Sequence, residues 1–535
     1  MTAPNSESER SVQSANRQIA RAAGTVMLAF VASNLIGLLA KILTANAFGT
    51  GAESEAFYAA NRFTEILFNL VAGGALASAF IPTFTGLLTK EKKAEAWRLA
   101  SGVTNLVTLV LTGVCALSYI FAPEIVRYIL APGFGAADPA KEALTIELLR
   151  IQLPSAIIFG VSGLVMGMLN THRHFLIPAL APAMYQLGWI FGLLVLKPIM
   201  GVYGLGWGVV LGSLLHLAIQ LPTLFRVPGR IYIPSLGLGM ASVREVIRLM
   251  GPRLLGVAVV QLNFLLNTYL ASSQPEGSVS AISLAFSLML MPQAAIAQSI
   301  AIAALPTFSA QAARGKLDEM RASLTASLRG VLLLAIPATI GLILLRHPLV
   351  ALLYERGEFT AHSTDLVSWA LLWYGLGLVA HSVLEIVNRA FYAMHDTKTP
   401  VMVGIAAMTL NLVFSLVFSA LFLSWGWAPH GGLALANTIA TFLEVGTLLF
   451  IMRRRLNGLQ GHSLGQLVAQ AGIGSAVMGL AVWAWMAVSA QMGVLWITLG
   501  GLVIGGGVYL LMTVLLRVNE INRVWSLLLA RLKRA

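Results

Sequence analysis

Lys41, Glu55, Arg62 and Glu65 fall in or between two otherwise apolar segments in the stretch from Asn34 to Gly73. A central Arg, Lys or Asp costs a membrane helix roughly 2.5–3.5 kcal/mol on a translocon scale, so a charge kept there faces a wet cavity or a partner. Asn34, Gly37 and Lys41 are spaced by three and four and share one helix face. Arg62, Glu65, Asn69 and Gly73 repeat that spacing on the next segment, where Arg62 and Glu65 can pair at i,i+3. A structural ion pair would account for those two alone. Lys41 adds a second positive charge, and glycine opposite it would leave room for something bulky, so the sharper expectation is a cationic cavity for an anionic ligand. Snorkelling of Lys41 to the outer interface is the competing account.

A second constellation, His381, Glu385, Asn388 and Arg389, is spaced i, i+4, i+7, i+8. Glu385 and Arg389 form a natural ion pair, although Arg389 is also near enough to a segment end to serve as a flanking anchor. His381 reads as a hydrogen-bonded histidine ahead of a proton relay. Asn263, Asn267, Gln293 and Gln298 suit interhelical hydrogen bonding. Glu444 has no sequence-near basic partner and is the candidate ion or proton site outside the first two segments. Catalytic signatures are missing: Gly315-Lys316 is followed by Leu317, not by the Ser or Thr of a phosphate-binding loop, and neither H-E-x-x-H nor G-x-G-x-x-G occurs. The chain is therefore read as no enzyme and without a resident cofactor, with any energy drawn from an ion gradient, the membrane potential or the substrate's own gradient. No metal site is expected either, since Cys115 is the single cysteine.

The elements that must hold these residues are membrane helices. Of 535 residues, 57% are hydrophobic and 11% charged, against the roughly 25% charged of a soluble domain. A span needs about 20 apolar residues, and that ruler finds fourteen: about 22–47, 56–88, 99–121, 143–169, 176–196, 202–222, 246–271, 279–309, 322–345, 365–393, 400–424, 431–452, 466–490 and 493–516. The net charge of +13 is concentrated in alternate connections: Lys90, Lys92, Lys93 and Arg98; Arg173; Arg226, Arg230 and Arg244; Arg314, Lys316 and Arg321; Lys398; Arg453, Arg454 and Arg455. By the positive-inside rule both termini are cytoplasmic. Residues 1–18 are polar and carry no signal-peptide pattern.

An internal repeat organises the spans. AFIPTFTGLLTKEKKAEAWR (79–98) returns as AALPTFSAQAARGKLDEMR (303–321), APEIVRYIL (122–130) as RHPLVALLY (346–354), and NTHRHFLIP ending at Pro178 as AMHDTKTP ending at Pro400. The expected architecture is all-α and polytopic: a cytoplasmic segment 1–21, a six-span lobe 22–222, a cytoplasmic linker 223–245, a second six-span lobe 246–452, two further spans in 453–516, and a basic amphipathic tail 517–535. Six is even, so the repeat is parallel about the membrane normal, and substrate is expected at its interface. Gly204-x-x-x-Gly208-x-x-x-Gly212 reads as a helix-packing motif. In the tail, Ile521, Val524, Trp525, Leu528 and Leu532 share one face, which suits the inner leaflet.

Several stretches carry a family resemblance: FGTGAESEAFYAA (48–60), GGALASAFIPTF (73–84), LAPGF (130–134), LLRIQLPSAIIFGVSGLVMGMLNTHRHFLIPALAP (148–182) and RAFYAMHDTKTPV (389–401). With the fourteen spans and the repeat, the chain resembles the MurJ/MviN family of the multidrug/oligosaccharidyl-lipid/polysaccharide (MOP) exporter superfamily over nearly its whole length. The resemblance implies a flippase that moves lipid II, the undecaprenyl-diphosphate-linked peptidoglycan precursor, from the inner to the outer leaflet of the bacterial cytoplasmic membrane. It further implies two lobes around a cationic cavity, alternating access, a lipid-tail groove made by the last two spans, and cell-envelope biosynthesis proteins as partners. Family arginines align with Asn34, Ala40 and Ser287, none of them basic here, whereas the family's acid and base are retained as Glu55 and Arg62. Lys41 adjoins Ala40, about 100° around the helix. The substrate-contacting set on this reading is Asn34, Lys41, Arg62 and Ser287, with Glu55, Glu65, Glu385 and Arg389 as gating or ion-pair residues. Three alternatives stay open: a flippase for another polyprenyl-linked glycan, a cation-coupled exporter of the same superfamily, and a membrane scaffold for envelope enzymes.

Overall fold

In a bilayer every backbone polar group must be satisfied within its own segment, and the protein answers with helices. The computed structural model describes residues 29, 31–70, 76–518 and 520, and all regular structure among them is helical. Gly73, the segment 1–21 and the tail residues Ile521, Val524, Trp525, Leu528 and Leu532 lie outside the described residues. The chain divides into two compact units, Met1–Phe48 with Ala52–Tyr269, and Gly49–Gly51 with Leu270–Ala535.

The first unit contains α1 (Val31–Phe48), α2 (Ala52–Phe68), α3 (Leu76–Thr89), α4 (Lys93–Ile120), α5 (Pro139–Thr171), α6 (Leu176–Met200), α7 (Val202–Phe225) and most of α8 (Ala241–Ser272). The second contains α9 (Ser278–Ala313), α10 (Leu317–Leu344), α11 (Ala361–Leu376), α12 (Leu378–Ala393), α13 (Lys398–Ser424), α14 (His430–Arg455), α15 (Gly461–Val488) and α16 (Val494–Leu515). Eleven of these are individually long and apolar enough to cross a membrane, and α11 with α12, bent by 47° at Gly377, makes a twelfth span. The count of fourteen is consistent with this set: α2 and α3 flank residues 71–75, and α8 is 32 residues long but opens with Arg244, Glu245 and Arg248, which lower its average hydropathy. The protein is a multi-pass membrane protein.

The repeat is written into the backbone. Left-handed residues occur at Glu91 (φ 59°) and Gly315 (φ 68°), 224 positions apart, and at Arg173 (φ 63°) and His395 (φ 58°), 222 apart. Each ends a helix at the corresponding turn of its half. Pro82 and Pro306, also 224 apart, both sit inside their helices.

Within the first unit, Phe80, Phe84, Trp97 and Leu99 anchor a core between α3, α4 and α5. The glycine motif on α7 works as its spacing suggests, because Gly188 and Gly192 of α6 supply a matching smooth face; a methyl added at Gly192 would lie 2.6 Å from the Gly204 carbonyl oxygen and 2.7 Å from the Gly208 Cα. Within the second unit, α15 and α16 are fastened to α10. Tyr509 donates to the Leu333 carbonyl at 2.6 Å, and the Arg329 guanidinium bridges Glu520 and Ser463.

Candidate functional site

α2 presents two faces. The first, Ser54, Glu55, Ala56, Ala59 and Ala60, is small and buried, which lets the helix press close to α5. Glu55, 1% exposed, meets the ammonium of Lys141 at the start of α5, and that ammonium also lies 4.1 Å from the Phe134 ring centroid. The gating or ion-pair residue Glu55 thus has a buried partner 86 positions away, on a connection where sequence spacing gives no signal.

The second face carries the predicted cationic group. Arg62 Nη1 donates to Glu65 Oε2 at 2.8 Å, Asn61 Nδ2 donates to Glu65 Oε1 at 2.9 Å, and the Arg62 guanidinium stands 5.1 Å from the Phe264 ring centroid of α8. Lys41, half-buried on α1, is close enough to feel the charges of both Glu65 and Arg62. The three charges sum to one positive. Tyr185 on α6 also feels Glu65, and Asn69 Nδ2 donates to Gln261 Oε1 at 3.5 Å, at the long limit of a hydrogen bond. Gly37 packs against α6, where a methyl would lie 3.3 Å from the Gln186 amide nitrogen. Asn34 is exposed on α1, and Ala40 is fully buried.

The second unit carries its own polar set. Glu385 accepts from Arg389 at 2.7 Å within α12, and Tyr392, one turn on, feels Arg389, Glu385 and Glu444 together. Glu444 on α14 faces the smooth side of α13, where a methyl at Gly404 would lie 3.5 Å from its Oε1. His381 hydrogen-bonds Asn437 Oδ1 through Nε2 at 3.1 Å, as the bland reading expects. Ser287 donates to the Ser283 carbonyl at 2.8 Å, one turn back in α9. The structure therefore gathers Lys41, Arg62 and Glu65 in one unit, and Glu385, Arg389 and Glu444 around Tyr392 in the other. Lys141, Tyr185, Gln186 and Phe264 complete the first-unit surroundings, and all four come from helices distant in sequence.

A sequence model of the family described as lipid II flippase MurJ matches residues 44–503. The chain belongs to the MurJ family. Its relatives include lipid II flippase MurJ of Burkholderia cenocepacia, 30% identical, with the match covering 84% of this chain and 87% of the relative. A probable lipid II flippase MurJ of Vibrio cholerae is 31% identical over 78% of this chain and 79% of its own length. Among solved structures, lipid II flippase MurJ in an inward closed conformation superposes with a TM-score of 0.78 at 25% identity, covering 92% of this chain and 98% of that one. An inward-facing multidrug MATE transporter of the MOP superfamily shares the fold alone, with a TM-score of 0.67 at 17% identity over 80% of this chain and 96% of that one. The MurJ match takes in Glu55, Arg62, Glu65, Ser287, Glu385, Arg389 and Glu444, while Asn34 and Lys41 precede its first residue.

Proposed function

We propose that this chain is a lipid II flippase, a transporter and not an enzyme, which carries lipid II from the inner to the outer leaflet of the bacterial cytoplasmic membrane by alternating access. Membership of the MurJ family and relatives named for this activity support the assignment. The observation that carries the site is the group Lys41, Arg62 and Glu65, two basic side chains and one carboxylate within electrostatic reach of one another. A diphosphate entering the group gains two cations, one of them a guanidinium suited to bidentate phosphate contact. Asn34, exposed on α1, hydrogen-bonds the headgroup. Glu65 holds Arg62 in place until substrate competes for it, and Glu55 with Lys141 and Glu385 with Arg389 act as ion pairs that steady or gate their halves.

Both termini face the cytoplasm, a reading supported by the Lys and Arg of alternate connections. The transport step is coupled to an ion or to the membrane potential, which supplies about 2.3 kcal/mol per charge per 100 mV, and Glu444 is the proposed ion or proton site. A second reading, transport of another polyprenyl-linked glycan, is favoured by Asn34, Ala40 and Ser287 at positions where the family resemblance implies arginine. Depletion in cells dependent on this protein, followed by analysis of which lipid-linked precursor accumulates in the inner leaflet, separates the two. Lipid II accumulation is expected; accumulation of a different precursor with unchanged lipid II overturns the assignment.

A further inference from the structure

The connection between α7 and α8 is neither a helix nor a loose loop. Residues 231–237 form neither helix nor strand and lie along α4, held by two polar side chains of that helix. Asn105 uses its whole amide: Nδ2 donates to the carbonyls of Ile233 and Ser235, both at 2.9 Å, and Oδ1 accepts from the Tyr232 hydroxyl at 2.6 Å. One turn earlier, Ser101 donates to the Ile231 carbonyl and accepts from the Ile233 amide, both at 3.2 Å. Gly102 between them lets the strap lie close, since a methyl there would come within 3.2 Å of the Leu236 carbonyl oxygen.

The depth of this docking decides what lies over it. α4 has 28 residues, ~42 Å at 1.5 Å per residue, against a hydrocarbon core about 30 Å thick. Lys93, Glu95 and Arg98 all fall in its first six residues, so the excess length, roughly eight residues, lies at that end. Ser101 and Asn105 are eight and twelve residues into the helix, so they lie at or inside the edge of the hydrocarbon. Irregular backbone at that depth needs its polar groups satisfied, and Ser101 and Asn105 pair with the carbonyls of Ile231, Ile233 and Ser235 and the amide of Ile233. The outward side chains are then suited to lipid. Phe225 (56% exposed), Ile231, Tyr232 (68% exposed) and Leu238 are apolar or amphipathic, Arg226 and Arg230 are exposed beside them, and the Arg230 guanidinium lies 5.0 Å from the Phe225 ring centroid. No Asp or Glu occurs from residue 148 to 244.

We propose that the strap 225–238 is a binding surface for acidic phospholipid headgroups of the leaflet it faces, with Arg226 and Arg230 on the phosphates and Phe225, Ile231, Tyr232 and Leu238 in the interfacial layer. Interfacial segments use this combination of aromatic, aliphatic and basic residues, and each basic residue near an anionic surface contributes about 1 kcal/mol. The surface lies within the first unit and does not depend on which lipid is transported.

The test uses the full-length protein with Ile231→Cys in a Cys115→Ser background, labelled with an environment-sensitive fluorophore and titrated in detergent with short-chain phosphatidylglycerol or phosphatidylcholine. The expected result is a response to phosphatidylglycerol at lower concentration than to phosphatidylcholine, weakened by added salt. Arg226→Gln and Arg230→Gln should each shift its midpoint by about fivefold, whereas the paired lysine variants keep most of it. In nanodiscs the label should be shielded from aqueous iodide. Equal response to both lipids, a midpoint unmoved in Arg226→Gln/Arg230→Gln of unchanged melting temperature, or full iodide access in nanodiscs overturns the proposal; the last would point to a protein partner or open water over the strap.

Discussion

Lys141 closes on Glu55 from 86 positions away, and both side chains are buried, at 8% and 2% exposure. Removing one partner of such a pair leaves the other charge stranded, at a cost of about 3–5 kcal/mol. Glu55→Gln and Lys141→Met should each lower the melting temperature of the purified protein markedly, while Glu55→Gln/Lys141→Met recovers a large part of the loss. A double-mutant cycle on thermal unfolding measures the coupling. Additive losses would show that the two residues act separately.

The α6–α7 crossing makes a second prediction. At Gly192 an added methyl meets the backbone of Gly204 and Gly208, which cannot yield as a flexible side chain would, whereas Gly113 on α4 has nothing within 4 Å of the same position. Gly192→Ala should therefore destabilise by about 1–3 kcal/mol. Gly113→Ala, free of any clash and carrying a better helix former, should be neutral or stabilising. Thermal unfolding of the two variants side by side checks the contrast.

At the turn between α12 and α13, Asp396 carries a pH-dependent contact. Burial works to raise its carboxyl, but hydrogen bonds from the Thr399 hydroxyl and amide and from Arg455 outweigh it and hold it down, at about 2. A carboxylate depressed in this way contributes its full stability above the ordinary value of 3.8, and loses it as pH falls through the folded value. Hydrogen exchange at Thr399, corrected for intrinsic rates, should show constant protection down to about pH 4 and falling protection toward pH 2. Asp396→Asn should show the lower protection throughout and little further change with pH.

These contacts separate what was legible in the sequence from what was not. Arg62 with Glu65 and Glu385 with Arg389 are pairs within one helix, and their spacing of three or four names the partner directly. The repeat was legible because turns need particular backbone geometry, and the left-handed residues at Glu91 and Gly315 fall where the two matched segments end. Lys141, Tyr185, Gln186 and Phe264 were not legible, since their partners are set by helix packing and no local period encodes them. The strap is legible only as a linker, because an irregular segment held by Asn105 and Ser101 has no apolar period of its own.

Arg329 makes a prediction for the last two helices. It joins α10 to Glu520 and Ser463, so Arg329→Glu should loosen α15 and α16 from α10, and Arg329→Glu/Glu520→Arg should restore part of the contact. Crosslinking between cysteines placed at Leu333 and Tyr509, whose side chain now donates to the Leu333 carbonyl, reports the distance in each variant. Unchanged crosslinking in Arg329→Glu would show that apolar packing alone holds the hairpin.

The central claim is that Lys41 and Arg62 recognise the diphosphate of the transported lipid. The most direct measurement replaces the wild-type chain in a dependent cell by Lys41→Ala, Arg62→Ala or both, at matched membrane levels, and quantifies lipid II in each leaflet. The account predicts inner-leaflet accumulation of lipid II that is strongest for Lys41→Ala/Arg62→Ala and relieved in part by Lys41→Arg and Arg62→Lys. Normal distribution of lipid II and normal growth with Lys41→Ala/Arg62→Ala would contradict it.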